Sequence, residues 1–196
     1  MRSIFPVFLI AAAPLCFAQT RGWEEGVEQA FATGGRAVLR LSTGVYTVVG
    51  GEEGKVKVRW STKNPHQMKE VEVKLEVKGS EVFLKTHGPK DDFRVFIELP
   101  KRTHLDARLT VGLLAVSGIE GDKKLDLNIG EMKVEVPDSG LYRSANASVR
   151  IGELAAKAFK CNEEGLFNRL RWKGTGAYTF EARVGIGEAT FSGPER

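Results

Sequence analysis

Cysteine is nearly absent from this chain. Cys16 falls in an apolar leader and Cys161 stands alone in the remainder, so no internal disulfide can form and stability has to come from packing. A nucleophilic role for Cys161 would require a base and a charge-stabilising setting, and the residue is read as an inert thiol. Histidine is equally sparse: His66, His87 and His104 lie in three separate segments, without the paired short spacing that metal sites use, and are expected to be solvated. No nucleophile elbow and no phosphate-cradling loop occurs. Gly185-Ile186-Gly187 opens like a dinucleotide fingerprint but lacks the third glycine and a following helix, so it reads as a strand corner. No metal, cofactor or catalytic residue is therefore assigned. Neither sign of charge dominates. The formal charge of +4 becomes +3 without Arg2, and the 28% of charged residues intersperse both signs, which argues against a nucleic-acid partner. Beyond the leader no apolar run approaches the roughly 20 residues that cross a bilayer.

What is present begins with that leader. Met1-Arg2-Ser3 precedes an apolar stretch from Ile4 to Leu15, and Cys16 and Ala18 are small, the pattern of a secretory signal peptide over residues 1–18 cut between Ala18 and Gln19. Leu15 before Cys16 argues against a lipoprotein. Residues 19–196 are then one domain in an extracytoplasmic space, either periplasmic or secreted to the cell surface, and long enough to bury a core.

The segment from Gly22 to Ala32 reads either as a short helix or as an extended lead-in strand, since Gly26 weakens the helix. From Ala37 onward the hydrophobic period is two. Val71 to Lys78 alternates apolar and charged residues throughout, as a strand with one buried face must. Phe93, Val95, Ile97 and Leu99 repeat the alternation until Pro100 removes a ladder donor.

The second half carries an internal repeat. Ile129-Gly130-Glu131, Ile151-Gly152-Glu153 and Ile186-Gly187-Glu188 share a tripeptide, and Val111-Gly112-Leu113 keeps its apolar residue and glycine. Apolar residues before each glycine lie two apart, as do those after it, but on the opposite parity: Leu127 and Ile129, then Met132, Val134 and Val136. A corner at Gly112, Gly130, Gly152 and Gly187 keeps both sets facing one core, and glycine tolerates the positive φ such a corner needs. The expected fold is all-β, built of stacked short-strand repeats in a β-solenoid-like arrangement, with a twisted antiparallel β roll or sandwich as the alternative. The glycine spacings of 18, 22 and 35 residues leave the last interval room for an inserted loop or an extra coil.

The stretch from Phe93 to Pro100, the strand-glycine-strand units, and Gly174-Thr175-Gly176 ahead of Tyr178 and Phe180 resemble the bacterial putative adhesin family of uncharacterised β-strand-repeat domains, over roughly Ala37 to Ser192. The resemblance implies an exported β-solenoid-like fold and assigns no functional residue. Leu113, where the other copies have glutamate, departs from a repeated ligand site.

Export, repeat architecture and the empty motif search together point to a non-catalytic structural or adhesion module of the cell envelope, with an unknown protein or glycan as partner. The alternatives are a carbohydrate-active enzyme on a β-helix scaffold, using carboxylates such as Asp91-Asp92, Glu52-Glu53 or Glu163-Glu164, and an accessory of envelope-stress signalling. Glu131, Glu153 and Glu188 would form a column in stacked coils, read as a solvated corner rather than a calcium site. The outward repeat positions Arg108, Asp126, Ser148 and Arg183, then Lys133, Ala155 and Thr190, lack aromatics and read as scaffold. A candidate binding loop is Arg169, Arg171, Trp172 and Lys173 in the long interval, where Phe159, Phe167, Tyr178 and Phe180 also fall; core packing is the competing reading for its aromatics.

Overall fold

A computed structural model of the chain describes residues 25–89 and 92–193, with 161–167 described as backbone; the expected leader lies outside the described residues. Eleven strands account for most of them: β1 (Glu25–Ala30), β2 (Arg36–Gly51), β3 (Lys55–Ser61), β4 (Glu72–Lys78), β5 (Glu81–His87), β6 (Arg94–Pro100), β7 (His104–Ser117), β8 (Lys123–Glu135), β9 (Tyr142–Ala156), β10 (Cys161–Lys173) and β11 (Tyr178–Ser192). Three short 3-10 turns complete the regular structure. The chain is thus predominantly β, and the lead-in segment takes its extended alternative as β1. No helix among the described residues is long and apolar enough to cross a membrane.

All eleven strands belong to one mixed sheet, ordered β1-β3-β6-β2-β7-β8-β11-β9-β10, with β5 also paired to β2 and β4 to β5. The sheet is not closed. The five long strands that carry the glycine corners, β2, β7, β8, β11 and β9, run parallel to one another, so the repeats are not paired as an antiparallel roll. β2 forks at its corner, its residues 36–40 pairing with β5 and its residues 45–51 with β6. Each long strand consequently has two arms, one on either side of its glycine, and both arms contribute to a single core. Leu39, Leu109, Leu127 and Val184 line it from the first arms, and Val48, Leu114, Met132 and Ala189 from the second. Burial of each leucine, valine or methionine among them stabilises the fold by roughly 1.5 to 3 kcal/mol.

The order of the repeats in the sheet departs from their order in the chain, and one expectation from the sequence is corrected. The repeats do not stack in chain order, because β10 runs antiparallel along one edge of β9 and β11 has to take the other, between β9 and β8. The isoleucine before each corner does not face the core: Ile129, Ile186 and Ile151 are 47%, 40% and 45% exposed. The inward set is Leu125 and Leu127 before the corner and Met132 and Val134 after it. Between Leu127 and Met132 the backbone rounds the outside of a bend, where inward space has run out, and the side chain preceding the glycine turns outward.

Candidate functional site

Gly112, Gly130, Gly187 and Gly152 are register partners across β7, β8, β11 and β9, with φ between 130° and 134°. A Cβ on Gly130 would lie 1.9 Å from the carbonyl oxygen of Gly112, and one on Gly187 would lie 1.8 Å from that of Gly130. The missing side chain of each glycine is therefore the space its neighbour's carbonyl fills. Gly44 of β2, opposite Gly112 with φ 151°, heads the same ladder, although its flanking residues, Thr43 and Val45, share nothing with the Ile-Gly-Glu signature.

Columns of side chains flank this ladder. On one side stand Val111, Ile129, Ile186 and Ile151; on the other, Leu113, Glu131, Glu188 and Glu153. Lys133 Nζ sits 2.6 Å from Glu131. Among the described residues no group of three or more His, Cys, Asp or Glu side chains takes a metal-binding arrangement.

The first arms present a different surface. Their outward positions form one row across the sheet: Lys85 of β5, Arg40 of β2, Arg108 of β7, Asp126 of β8, Arg183 of β11, Ser148 of β9 and Arg169 of β10. At about 4.8 Å per strand the row extends for roughly 29 Å. Five of its seven positions are basic. Two grooves lie along it: one of about 480 Å³ between Lys85 and Asp126, floored by Ser42, Thr110 and Asn128, and one of about 330 Å³ between Arg183 and Arg171. Arg40 donates to Asp106 at 3.0 Å and Arg36 to the same carboxylate at 3.1 Å. Burial pushes the Asp106 carboxyl up, but the two guanidinium groups outweigh that and hold it below its ordinary range. Among the described residues Arg108, Arg183 and Lys85 enter no salt bridge within 4 Å.

The residues of the expected binding loop lie on a strand instead. Arg169, Arg171, Trp172 and Lys173 belong to β10, because this interval holds an antiparallel return strand with the period-two pattern of Leu170 and Trp172. Arg169, Arg171 and Lys173 point outward, whereas Trp172 is half-buried with its ring 5.3 Å from that of Phe159. Phe159 and Phe180 are buried and 5.5 Å apart, and Tyr178 packs against the same cluster. The Cys161, Glu163, Glu164 and Phe167 side chains lie outside the described residues, as does Asp91.

Other candidate side chains are engaged locally. Glu52 pairs with Lys55 at 2.9 Å and Lys57 at 3.0 Å, Glu53 accepts from the Thr33 hydroxyl, and Asp92 pairs with Lys63 at 3.6 Å. His104, expected to be solvated, lies half-exposed, with Nδ1 3.0 Å from the Asp122 carboxylate. Asp122 also accepts from the amide and hydroxyl of Thr179, at 2.7 and 2.9 Å. A third groove of about 280 Å³ lies between His104 and Tyr178. Each of the three grooves is lined by one carboxylate: Asp126, Glu120 or Glu181.

Strand parity alone marks Arg108, Asp126, Ser148 and Arg183 as outward. That Arg40, Lys85 and Arg169 join them in one row depends on register between strands distant in sequence, which the amino-acid pattern does not encode locally.

No protein-family model matches the chain, and no curated protein matches it. The crystal structure of a putative cell adhesion protein from Clostridium sporogenes superposes with a TM-score of 0.53 at 16% identity, covering 87% of this chain and 99% of that one. Putative adhesins from Parabacteroides distasonis and Bacteroides fragilis align at 13% and 12% identity, each over 86% of this chain and over 71% and 96% of their own. Their TM-scores are 0.27. The Clostridium structure shares the fold.

Proposed function

We propose that this protein is an exported, non-catalytic interaction module of the bacterial cell envelope that presents one broad face of its sheet to a partner. The observation that carries the reading is the row from Lys85 to Arg169, an ordered outward surface over two grooves that each hold a single carboxylate. Glycoside hydrolysis ordinarily requires two carboxyl groups flanking the bond. The shared fold with the putative cell adhesion protein from Clostridium sporogenes supports an adhesive role.

The reading includes a coil for each bent strand. β7 has 14 residues and would measure about 46 Å if straight. The connection to β8 through residues 118–122 reaches about 20 Å at most. β8 nevertheless starts beside the start of β7, with Lys123 opposite Leu105, so β7 has to carry its end back towards its beginning. That supports a solenoid-like course.

The test is expression of the full chain in a bacterium, followed by fractionation, mass spectrometry and incubation of the purified protein with isolated envelopes. Recovery outside the cytoplasm with Gln19 at the N-terminus, and saturable retention by envelopes without release of sugar, is the expected result. Cytoplasmic retention of the uncut chain removes the export reading, and release of reducing sugar replaces the module with an enzyme.

A further inference from the structure

The outward row of the first arms contains an arrangement that the fold itself does not need. Arg40 and Arg108 are direct register partners, and Lys85 lies opposite Arg40 on its other side, so three cations occupy adjacent strands. Like charges opposite one another destabilise a sheet. Asp106 compensates Arg40, but Arg108 and Lys85 have no salt bridge among the described residues, and neither has Arg183 further along.

The surroundings of the row narrow the kind of anion that fits. On one side, Ser42, Thr110 and Asn128 line the same groove as Arg40 and Arg108; the Ser42 hydroxyl lies 3.2 Å from that of Tyr46 and the Thr110 hydroxyl donates to the Leu41 carbonyl at 3.4 Å, which leaves oxygen lone pairs to accept from a ligand. On the other, the row through Asp106, Lys124, Glu181, Asn146 and Arg171 balances two carboxylates against two cations, so the excess of positive charge is confined to the row of Arg40 and Arg108. A broad anionic surface such as a membrane, or the two backbones of a duplex, would meet Asp126 and Glu181 as well as the arginines. A single thin chain that follows the row meets Asp126 alone of these carboxylates. Positions along the row repeat at the strand spacing, about 4.8 Å, close to the length of one pyranose ring in a chain, with Asp126 interrupting the cations between Arg108 and Arg183.

We propose that this row binds a linear carboxylated polysaccharide laid across the strands, its carboxylates at Arg40, Arg108 and Arg183 and its hydroxyls at Ser42, Thr110 and Asn128. The proposal rests on the interaction-module reading and names its ligand class. Arginine suits the task because its planar fork can hold a carboxylate through two hydrogen bonds. The array is multivalent, so affinity grows with polymer length although each contact is exposed and weak.

The experiment measures binding of polygalacturonate to the full processed chain by affinity electrophoresis, with fully methyl-esterified polymer, single-stranded DNA and anionic vesicles as parallel probes. Arg108→Gln and Arg183→Gln are compared with Lys133→Gln, which removes the same charge from the outward side of a second arm. Melting temperatures establish that each variant is folded. Polygalacturonate should bind, the esterified polymer should not, and each arginine variant should weaken binding by about tenfold while Lys133→Gln leaves it within about twofold. The proposal fails if the esterified polymer binds equally, if Lys133→Gln weakens binding as much as the arginine variants, or if DNA or vesicles bind as tightly with the same dependence on Arg108 and Arg183. Absence of polygalacturonate binding alongside retained binding to isolated envelopes overturns this ligand and keeps the module reading; loss of both overturns both.

Discussion

The ammonium of Lys123 donates to the hydroxyl of Tyr142 inside the core, with its Nζ 5.1 Å from the centre of the Tyr142 ring and 2.7 Å from the carbonyl oxygen of Ile119. Lys123 is 1% exposed and makes no salt bridge among the described residues; Glu120 and Asp122 act on it at longer range. Burial lowers its pKa from 10.5 to about 8, with Glu120 and Asp122 opposing the shift, and burial pushes the Tyr142 hydroxyl well above its ordinary range.

A pH dependence follows. The folded value of Lys123 lies below the unfolded one, so between pH 8 and 10.5 the unfolded chain holds more protons and this residue's contribution to stability rises with pH. Below pH 8 the desolvation penalty is present in full. The rise across the window is roughly 3 kcal/mol. Urea midpoints of the parent and of Lys123→Met, compared at pH 7 and pH 9.5, should show the parent gaining on the variant at the higher pH. Parallel behaviour of the two proteins would refute the account.

Gly130→Val should destabilise the fold by well over 1 kcal/mol. Its φ of 134° resists a β-branched residue, and its Cβ would also collide with the Gly112 carbonyl. Lys133→Val, three residues on and exposed, should move the midpoint by about 0.5 kcal/mol or less. Equal shifts for the two would remove the special status of the corner.

The exposed isoleucines separate what the repeat signature marks from what it packs. Ile129→Thr should change stability by no more than about 0.5 kcal/mol, whereas Leu127→Ala should cost about 2 to 5 kcal/mol, since Leu127 is fully buried. Chemical denaturation of both variants checks the ranking; a reversal would return Ile129 to the core.

Trp172→Ala should cost about 2 kcal/mol, less than the roughly 3 to 5 kcal/mol of a fully buried aromatic, because its half-buried ring covers Phe159 at the rim of the cluster. Arg171→Gln beside it should be near neutral. An unchanged midpoint for Trp172→Ala would free the ring for contact with a partner.

Much of the fold is legible in the amino-acid pattern because each strand's inner face is an alternation of its own. Val73, Leu75 and Val77 mark β4, and Phe93 to Leu99 mark β6, without reference to anything distant. The glycines are legible for the same reason: a repeated Ile-Gly-Glu is a local signal. The outward turn of Ile129 escapes such reading, because parity counted along a strand assumes the strand stays straight. The neighbour relation between Asp126 and Arg183 escapes it too, since 57 residues separate them and nothing in either segment specifies the other. The candidate row depends on relations of that second kind, which is why only some of its residues are visible beforehand and the row is not.

The insertion of β11 sets an order of assembly. A chain folding from its N-terminal side can build β1 to β8 and can form the β9–β10 hairpin, yet neither piece can join the other until Tyr178–Ser192 arrives. During that interval one edge of β8 and one of β9 lie unpaired, as templates of the kind that recruit foreign strands. The vacant slot accepts β11 from any copy, because the hydrogen bonds offered by Lys123–Glu135 and Tyr142–Ala156 are the same whichever molecule supplies the partner. Any exchange of this one strand between copies would therefore depend on concentration during folding.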